Sequence, residues 1–180
     1  MPVVRVVATT AVVNNYAELL AITSDEEKKQ TKLIFDQGRI ARRYCDIELF
    51  IDLLLHHFNS SKRSNRTLVA SYHLPNYKAP LVLSLWEPVL LTPLEKLNRK
   101  INTYVIYHKV RKSKRINSGQ SLIIFIDGTK LTVDANIRSV RHQLEVCENF
   151  KDRLRKRQWA LLKEDDITEL LEKANKDQSE

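Results

Sequence analysis

The chain has 180 residues, 43% of them hydrophobic and 29% charged, enough apolar material for a real core and too much for disorder throughout. Its 30 Lys and Arg against 22 Asp and Glu give a formal net charge of +8, and two cysteines exclude a disulfide framework. No apolar run approaches bilayer-spanning length, and the opening MPVVRVVATTAVV lacks the basic leader of a secretory signal, so a soluble protein without a membrane partner is expected.

Taken in chain order, residues 3–13 are rich in Val and Thr and predict a strand, and a short helix is expected over 16–22. TSDEEKKQ then offers Thr23 or Ser24 as a helix cap with acids in the first turn. Leu33, Ile40, Ile47 and Leu54 recur every seven residues, with Gln37, Tyr44, Ile51 and Phe58 at companion positions, which predicts a long helix over about 25–58. NSSKRSNR (59–66) is a polar loop. The runs TLVASYHL and PLVLSLWEPVLL, separated by the PNYKA turn, read as paired strands, the second limited by Pro88. In TPLEKLNRKI, Thr92, Pro93 and Glu95 spell a capping box ahead of Leu94, Leu97 and Ile101, so a central helix reaching about 111 is expected, with a change to strand near 103 as the alternative. SLIIFIDGTKLTV (121–133) predicts a tight hairpin, because Asp-Gly suits a two-residue turn with positive φ. Asp134 is the expected cap of a helix carrying Ile137, Val140, Leu144 and Cys147 on one face, and a last helix begins near Asp165-Asp166.

These elements predict an α+β fold: a long N-terminal helix, two antiparallel strand pairs around a central helix, and two C-terminal helices. Residues 1–150 form a single α+β domain and 151–180 a helical extension, basic and then acidic.

Several chemistries are excluded by residue content. Gly38, Gly119 and Gly128 are the only glycines, and neither a phosphate-cradling loop nor a nucleophile elbow can be written with them. Cys45, Glu48, Asp52 and His56 share one side of the expected helix, but no second motif closes a tetrahedron, so no metal site and no cofactor are expected. Glu87 and Asp127 with Lys130 nearby do not make a two-metal nuclease, since Asp127-Gly128 is better used as a turn. Cys45 and Cys147 lie among apolar neighbours and read as core residues, not nucleophiles. The chain is therefore expected not to be an enzyme.

What remains is charge. Residues 163–180 hold three Lys against seven acids, whereas residues 36–162 hold 23 basic against 11 acidic residues. A middle of that sign draws polyanions at long range. Beside Arg39-Arg42-Arg43, the clusters are Lys62, Arg63 and Arg66; Lys109, Arg111, Lys112, Lys114 and Arg115, read as a loop between helix and hairpin; and Arg153, Arg155, Lys156 and Arg157. Tyr72, Tyr77 and Trp159 are candidate stacking platforms beside them. The expected function is a non-enzymatic, non-sequence-specific nucleic-acid-binding protein, with RNA or DNA and other protein subunits as partners. The alternative is an interaction subunit or scaffold of a nuclear assembly without direct nucleic-acid contact. Nuclear residence is expected, with the cytoplasm as the alternative, and the tract at 109–115 fits either an import signal or a binding surface.

Overall fold

The computed structural model describes residues 16–25, 28, 30–73, 79–85, 88–95 and 101–177, with backbone alone at 95, 101, 102 and 161–177. The strand expected at 3–13 and most of the PNYKA turn lie outside them.

After a single 3-10 turn at Tyr16–Glu18, the chain forms β1 (Leu19–Asp25) and β2 (Gln30–Phe35), then turns through Asp36–Gly38 into β3 (Ile40–Arg43). Two short helices follow, α1 (Ile47–His57) and α2 (Lys62–Ser71). Next come β4 (Leu81–Ser84), β5 (Val89–Glu95), β6 (Ile101–Ile106) and β7 (Val110–Arg115). The hairpin β8 (Ser121–Phe125) and β9 (Lys130–Val133) leads into a single long helix, α3 (Ile137–Asp177). Among the described residues the strands make two antiparallel sheets, one ordered β3-β2-β1-β6-β5-β4 and one ordered β7-β8-β9.

The expected fold class is corrected here. Where a long helix was predicted over 25–58, the chain makes β2 and β3 and only then the 11-residue α1. The heptad spacing is read across a turn: Gln37 and Gly38 have φ of 62° and 69°, a left-handed pair that ends any helix and folds β3 back on β2. Leu33 is buried in β2, whereas Ile40 is exposed on the edge strand β3, so the two never shared a helical face. Among the described residues the central helix is likewise absent, with β5 and β6 in its place. Thr92 caps nothing; its hydroxyl lies 3.0 Å from the Cys147 thiol inside the core, and Pro93 sits in β5. β4 pairs β5 only as far as Leu91, so the missing N–H of Pro93 leaves no gap in that ladder. TLVASYHL, expected as a strand, supplies the end of α2, whose Ser61 and Ser64 form a reciprocal capping box. The two expected C-terminal helices are one. Asn136, not Asp134, opens it by accepting the Ser139 N–H at 2.8 Å.

The six-stranded sheet is buried on both faces. Leu19, Leu20, Ala21 and Ile22 are all fully buried, as a doubly covered strand requires. A β-bulge between Leu19 and Ala21 adds one residue against β2. On one face α1 lays Ile47, Phe50, Ile51, Leu54 and Leu55 against Ile22, Leu33, Leu91 and Tyr104. On the other, β8 and β9 contribute Ile123, Phe125 and Val133 against Leu20, Ala21, Ile34 and Val105. Beside them α3 seats Cys147, Phe150 and Leu154 against Leu90, Val82 and Val69 of α2. Asn65 stitches α2 to β4, its carbonyl accepting the Val82 N–H at 2.6 Å while its amide donates to Ser60 and Ser61.

Leu54→Ala is expected to cost about 2–5 kcal/mol of unfolding free energy, since a cavity opens where α1 meets the sheet. Denaturant titration with far-UV detection checks this, and a loss under about 1 kcal/mol would contradict the packing described.

Candidate nucleic-acid interface

The basic tract 109–115 is not a loop. From Val110 onward it is β7, paired with β8 through Lys112↔Ile124, Lys114↔Leu122 and Arg115↔Ser121. β8 alternates buried Ser121, Ile123 and Phe125 with half-buried Leu122 and Ile124, the signature of a sheet with one face packed and one facing water. The pairing across β9, Ile124↔Lys130 and Leu122↔Thr132, completes the outward face. Lys112, Ile124 and Lys130 lie in one row across the three strands, and Lys114, Leu122 and Thr132 in the next. Strand geometry puts Lys112 and Lys130 about 10 Å apart across the sheet, and Lys112 and Lys114 about 7 Å apart along β7. The three strands contain no acid, and none of these lysines has a carboxylate partner among the described residues. Asp134, at the margin of this face, accepts the Gln120 amide at 2.9 Å. Arg111 stands at a bulge between Val110 and Lys112, exposed at the outer edge of β7.

The frame of this surface is rigid. At the β7–β8 turn the Asn117 side-chain oxygen Oδ1 accepts the N–H groups of Gly119 and Gln120 at 2.9 and 2.8 Å, and its side-chain amide donates to the Gln120 side-chain oxygen. At the far end Asp127 accepts the Gln37 N–H at 2.7 Å, tying the β8–β9 turn to the β2–β3 turn. Burial is the largest single influence on the Asp127 carboxyl and raises its pKa, but the Thr129 hydroxyl and the N–H groups of Gln37 and Thr129 together outweigh it and hold the carboxyl below its ordinary range. Tyr107 donates to Glu148 of α3, and the Lys151 ammonium sits 5.6 Å from the Tyr107 ring centroid, which sets β7 alongside the helix. Burial and the Glu148 carboxylate push the Tyr107 hydroxyl well above its usual pKa, so it stays a donor.

The other sequence-predicted residues fall into different surroundings. Lys62 lies 2.6 Å from Glu48 and 3.1 Å from Asp52, with its side chain only 25% exposed. Burial alone would lower its pKa, but those two carboxylates outweigh it and the net shift is upward. The same pairing occupies Glu48 and Asp52, the acids of the supposed metal stripe. Lys109 is 15% exposed and 3.6 Å from Asp36. Both lysines are neutralised locally. Arg63 and Arg66 stand exposed on α2. Arg153 donates to the Tyr72 carbonyl at 2.7 Å, and the Arg157 guanidinium lies 5.8 Å from the Tyr72 ring. That ring packs edge-on to Phe150, so it is part of the helix–helix contact. Arg155 and Lys156 are exposed on α3, as is Trp159 at 66%. Arg115 donates to the Asn117 backbone carbonyl at the turn. Tyr77 lies outside the described residues. Sequence reasoning missed Lys130, although the K-L-T-V alternation after Asp127-Gly128 put it in the expected hairpin; only the pairing of β7 with β8 shows that it shares a face with Lys112.

Neither thiol is placed for nucleophilic work. Burial pushes Cys147 up to about 12, and the nearby Thr92 hydroxyl offsets only part of that. Burial also raises Cys45. Among the described residues no cluster of three or more His, Cys, Asp or Glu side chains is placed to hold a metal ion, and no helix is long and apolar enough to cross a membrane.

Fold and surface together describe a β-rich module that presents charge on a rigid sheet face, the equipment of a nucleic-acid binder. The comparison with known families agrees: the model of the ComK protein family matches residues 9–159, and the chain belongs to that family. No curated protein and no solved structure matches it. The family is one of DNA-binding transcription factors, not of enzymes. Nuclear residence is thereby overturned, because ComK is a bacterial competence factor and such a cell has no nucleus. With it go the import signal and the nuclear scaffold, and a nucleic-acid partner now means DNA.

At pH 8 in native buffer, Cys147 is expected to stay silent to a thiol-reactive disulfide reagent and to react only in denaturant, because a pKa near 12 leaves almost no thiolate. Mass spectrometry of the labelled chain checks this. Fast native labelling of Cys147 would contradict the burial of α3 on β5.

Proposed function

We propose that this chain is a transcription regulator that binds duplex DNA through the outward face of β7–β8–β9. The observation that carries this reading is the alignment of Lys112, Lys114 and Lys130 on one rigid face whose strands contain no acid. Each ammonium that meets a phosphate releases condensed counterions, which supplies affinity irrespective of sequence. Between the lysines, Leu122, Ile124 and Thr132 give the face an apolar centre suited to base edges or sugars, while the lysines fix its position on the backbone. Arg111 and Arg115 at the exposed edge of β7 extend the positive field.

The fourth cluster supports the same reading in a lesser role. Arg155 and Lys156 are exposed on α3, beyond the Glu148–Lys151 stretch that meets Tyr107, and add to the overall positive field without belonging to the lysine face. Lys62 and Lys109, both ion-paired, have no part in it.

Replacing Lys112, Lys114 and Lys130 together by Gln is expected to lower the magnitude of d log K/d log[salt] for duplex DNA by about 2.7, at about 0.9 for each phosphate no longer neutralised. Unfolding free energy should stay within about 0.5 kcal/mol, since all three are exposed. Anisotropy titrations across a salt series measure the slope. An unchanged slope would remove the sheet face from the interface.

A further inference from the structure

Away from the three-stranded sheet, α2 and α3 enclose a groove of about 690 Å³ at the β4 edge of the large sheet. Its floor is apolar, made by Leu68, Tyr72, Leu85 and Leu154. Its rim is cationic, with Arg63 on the α2 side and Arg157 on the α3 side. A second cavity of about 700 Å³ shares Ser64, Leu68 and Leu85 with it, so the recess continues past Leu85 toward Phe58. Leu85 is half-exposed at the junction of the two.

Among the described residues lining the groove, the charged ones are of one sign. α2 contains no acid, and neither does α3 from Arg153 to Lys163. Arg63 and Arg157 have no carboxylate partner among the described residues, in contrast to Lys62, which Glu48 and Asp52 neutralise one position away. Arg157 rests against the Tyr72 ring, so its guanidinium is held at the lip without its charge being cancelled. An apolar floor beneath unpaired arginines is poorly matched to a DNA backbone, which has nothing apolar to bury. It is well matched to a polypeptide with leucine-like side chains on one face and carboxylates beside them. Two adjoining recesses also suit a segment of chain better than a small molecule.

We propose that the α2–α3 groove is a docking site for an acidic amphipathic helix of a protein partner, with Arg63 and Arg157 pairing its carboxylates and Leu68, Leu85 and Leu154 receiving its apolar face. This goes beyond the DNA-binding reading and does not depend on it, because the groove and the lysine face share no residue.

The test uses the full-length chain and a fluorescein-labelled helical probe of about 16 residues, long enough to hold a helix when bound, with Leu along one face and Glu along the other. Saturable binding is expected, weakened at least about tenfold (about 1.4 kcal/mol) in Arg63→Glu/Arg157→Glu, while affinity for duplex DNA stays within about twofold. A probe with Gln in place of Glu, and one with Ser in place of Leu, should each bind at least about tenfold more weakly. The proposal is overturned if the probe does not bind, or if its binding survives the arginine reversal. It is equally overturned if binding is lost instead on replacing Lys112, Lys114 and Lys130, which would make the probe a mere polyanion. A parallel loss of DNA affinity in the arginine variant would reassign the groove to the DNA surface. Dissociation of an oligomer by that variant would make the occupant a second copy of this chain.

Discussion

The arrangement rests on one constraint: a six-stranded antiparallel sheet whose two faces are both apolar and must both be covered. Leu19 to Ile22, four consecutive residues with no exposure, cannot be satisfied by a single layer. α1 covers one side. On the other, the small sheet and α3 divide the area, the sheet over β1 and β2 and the helix over β4 and β5. Because β8 commits Ser121, Ile123 and Phe125 inward, strand periodicity forces its neighbours on β7 and β9 to send Lys112, Lys114 and Lys130 out. The charged face is thus a consequence of how the core is closed.

Position also decides which cations are available. Thirty basic residues are spread along the chain, yet burial and pairing sort them. Lys62 and Lys109 sit where elements join and serve as counter-ions to Glu48, Asp52 and Asp36. Arg153 is taken up by a backbone carbonyl that ties α3 to the end of α2. The lysines of the small sheet and the arginines at the α2–α3 lip lack such employment among the described residues. Turn chemistry at Asn117 and Asp127 then holds the small sheet rigid, so less order has to be imposed when a ligand arrives.

Part of this was legible in the sequence. The hairpin at Asp127-Gly128 was, though not its turn: of the pair only Gly128 has positive φ, and the Phe125 N–H donates to the Thr129 carbonyl around three residues, not two. The helix carrying Val140 and Cys147 was legible too. The absence of an enzyme's apparatus and the positive middle also followed from residue content. The sheet did not. Leu33, Ile40, Ile47 and Leu54 keep a seven-residue spacing by accident, across a turn in which Gln37 and Gly38 both take positive φ. Thr92-Pro93-x-Glu95 has the letters of a cap, but β-branched and apolar neighbours on both sides were better buried between strands, and Thr92 found its hydrogen-bond partner 55 positions away. The real capping box at Ser61 was hidden because Ser64, not Glu or Gln, closes it. Reading 109–115 as a loop had the largest effect on the site, since it separated Lys112 and Lys114 from Lys130, the residue that pairing places beside them.

Lysine reactivity measured residue by residue tests the central claim most directly. The chain is acetylated under limiting reagent with and without bound duplex DNA, and each site is quantified by mass spectrometry. Lys112, Lys114 and Lys130 should be reactive in the free protein and strongly protected by DNA, with Lys62 and Lys109 poorly reactive in both states. Protection that spares all three sheet lysines and appears elsewhere would contradict the account.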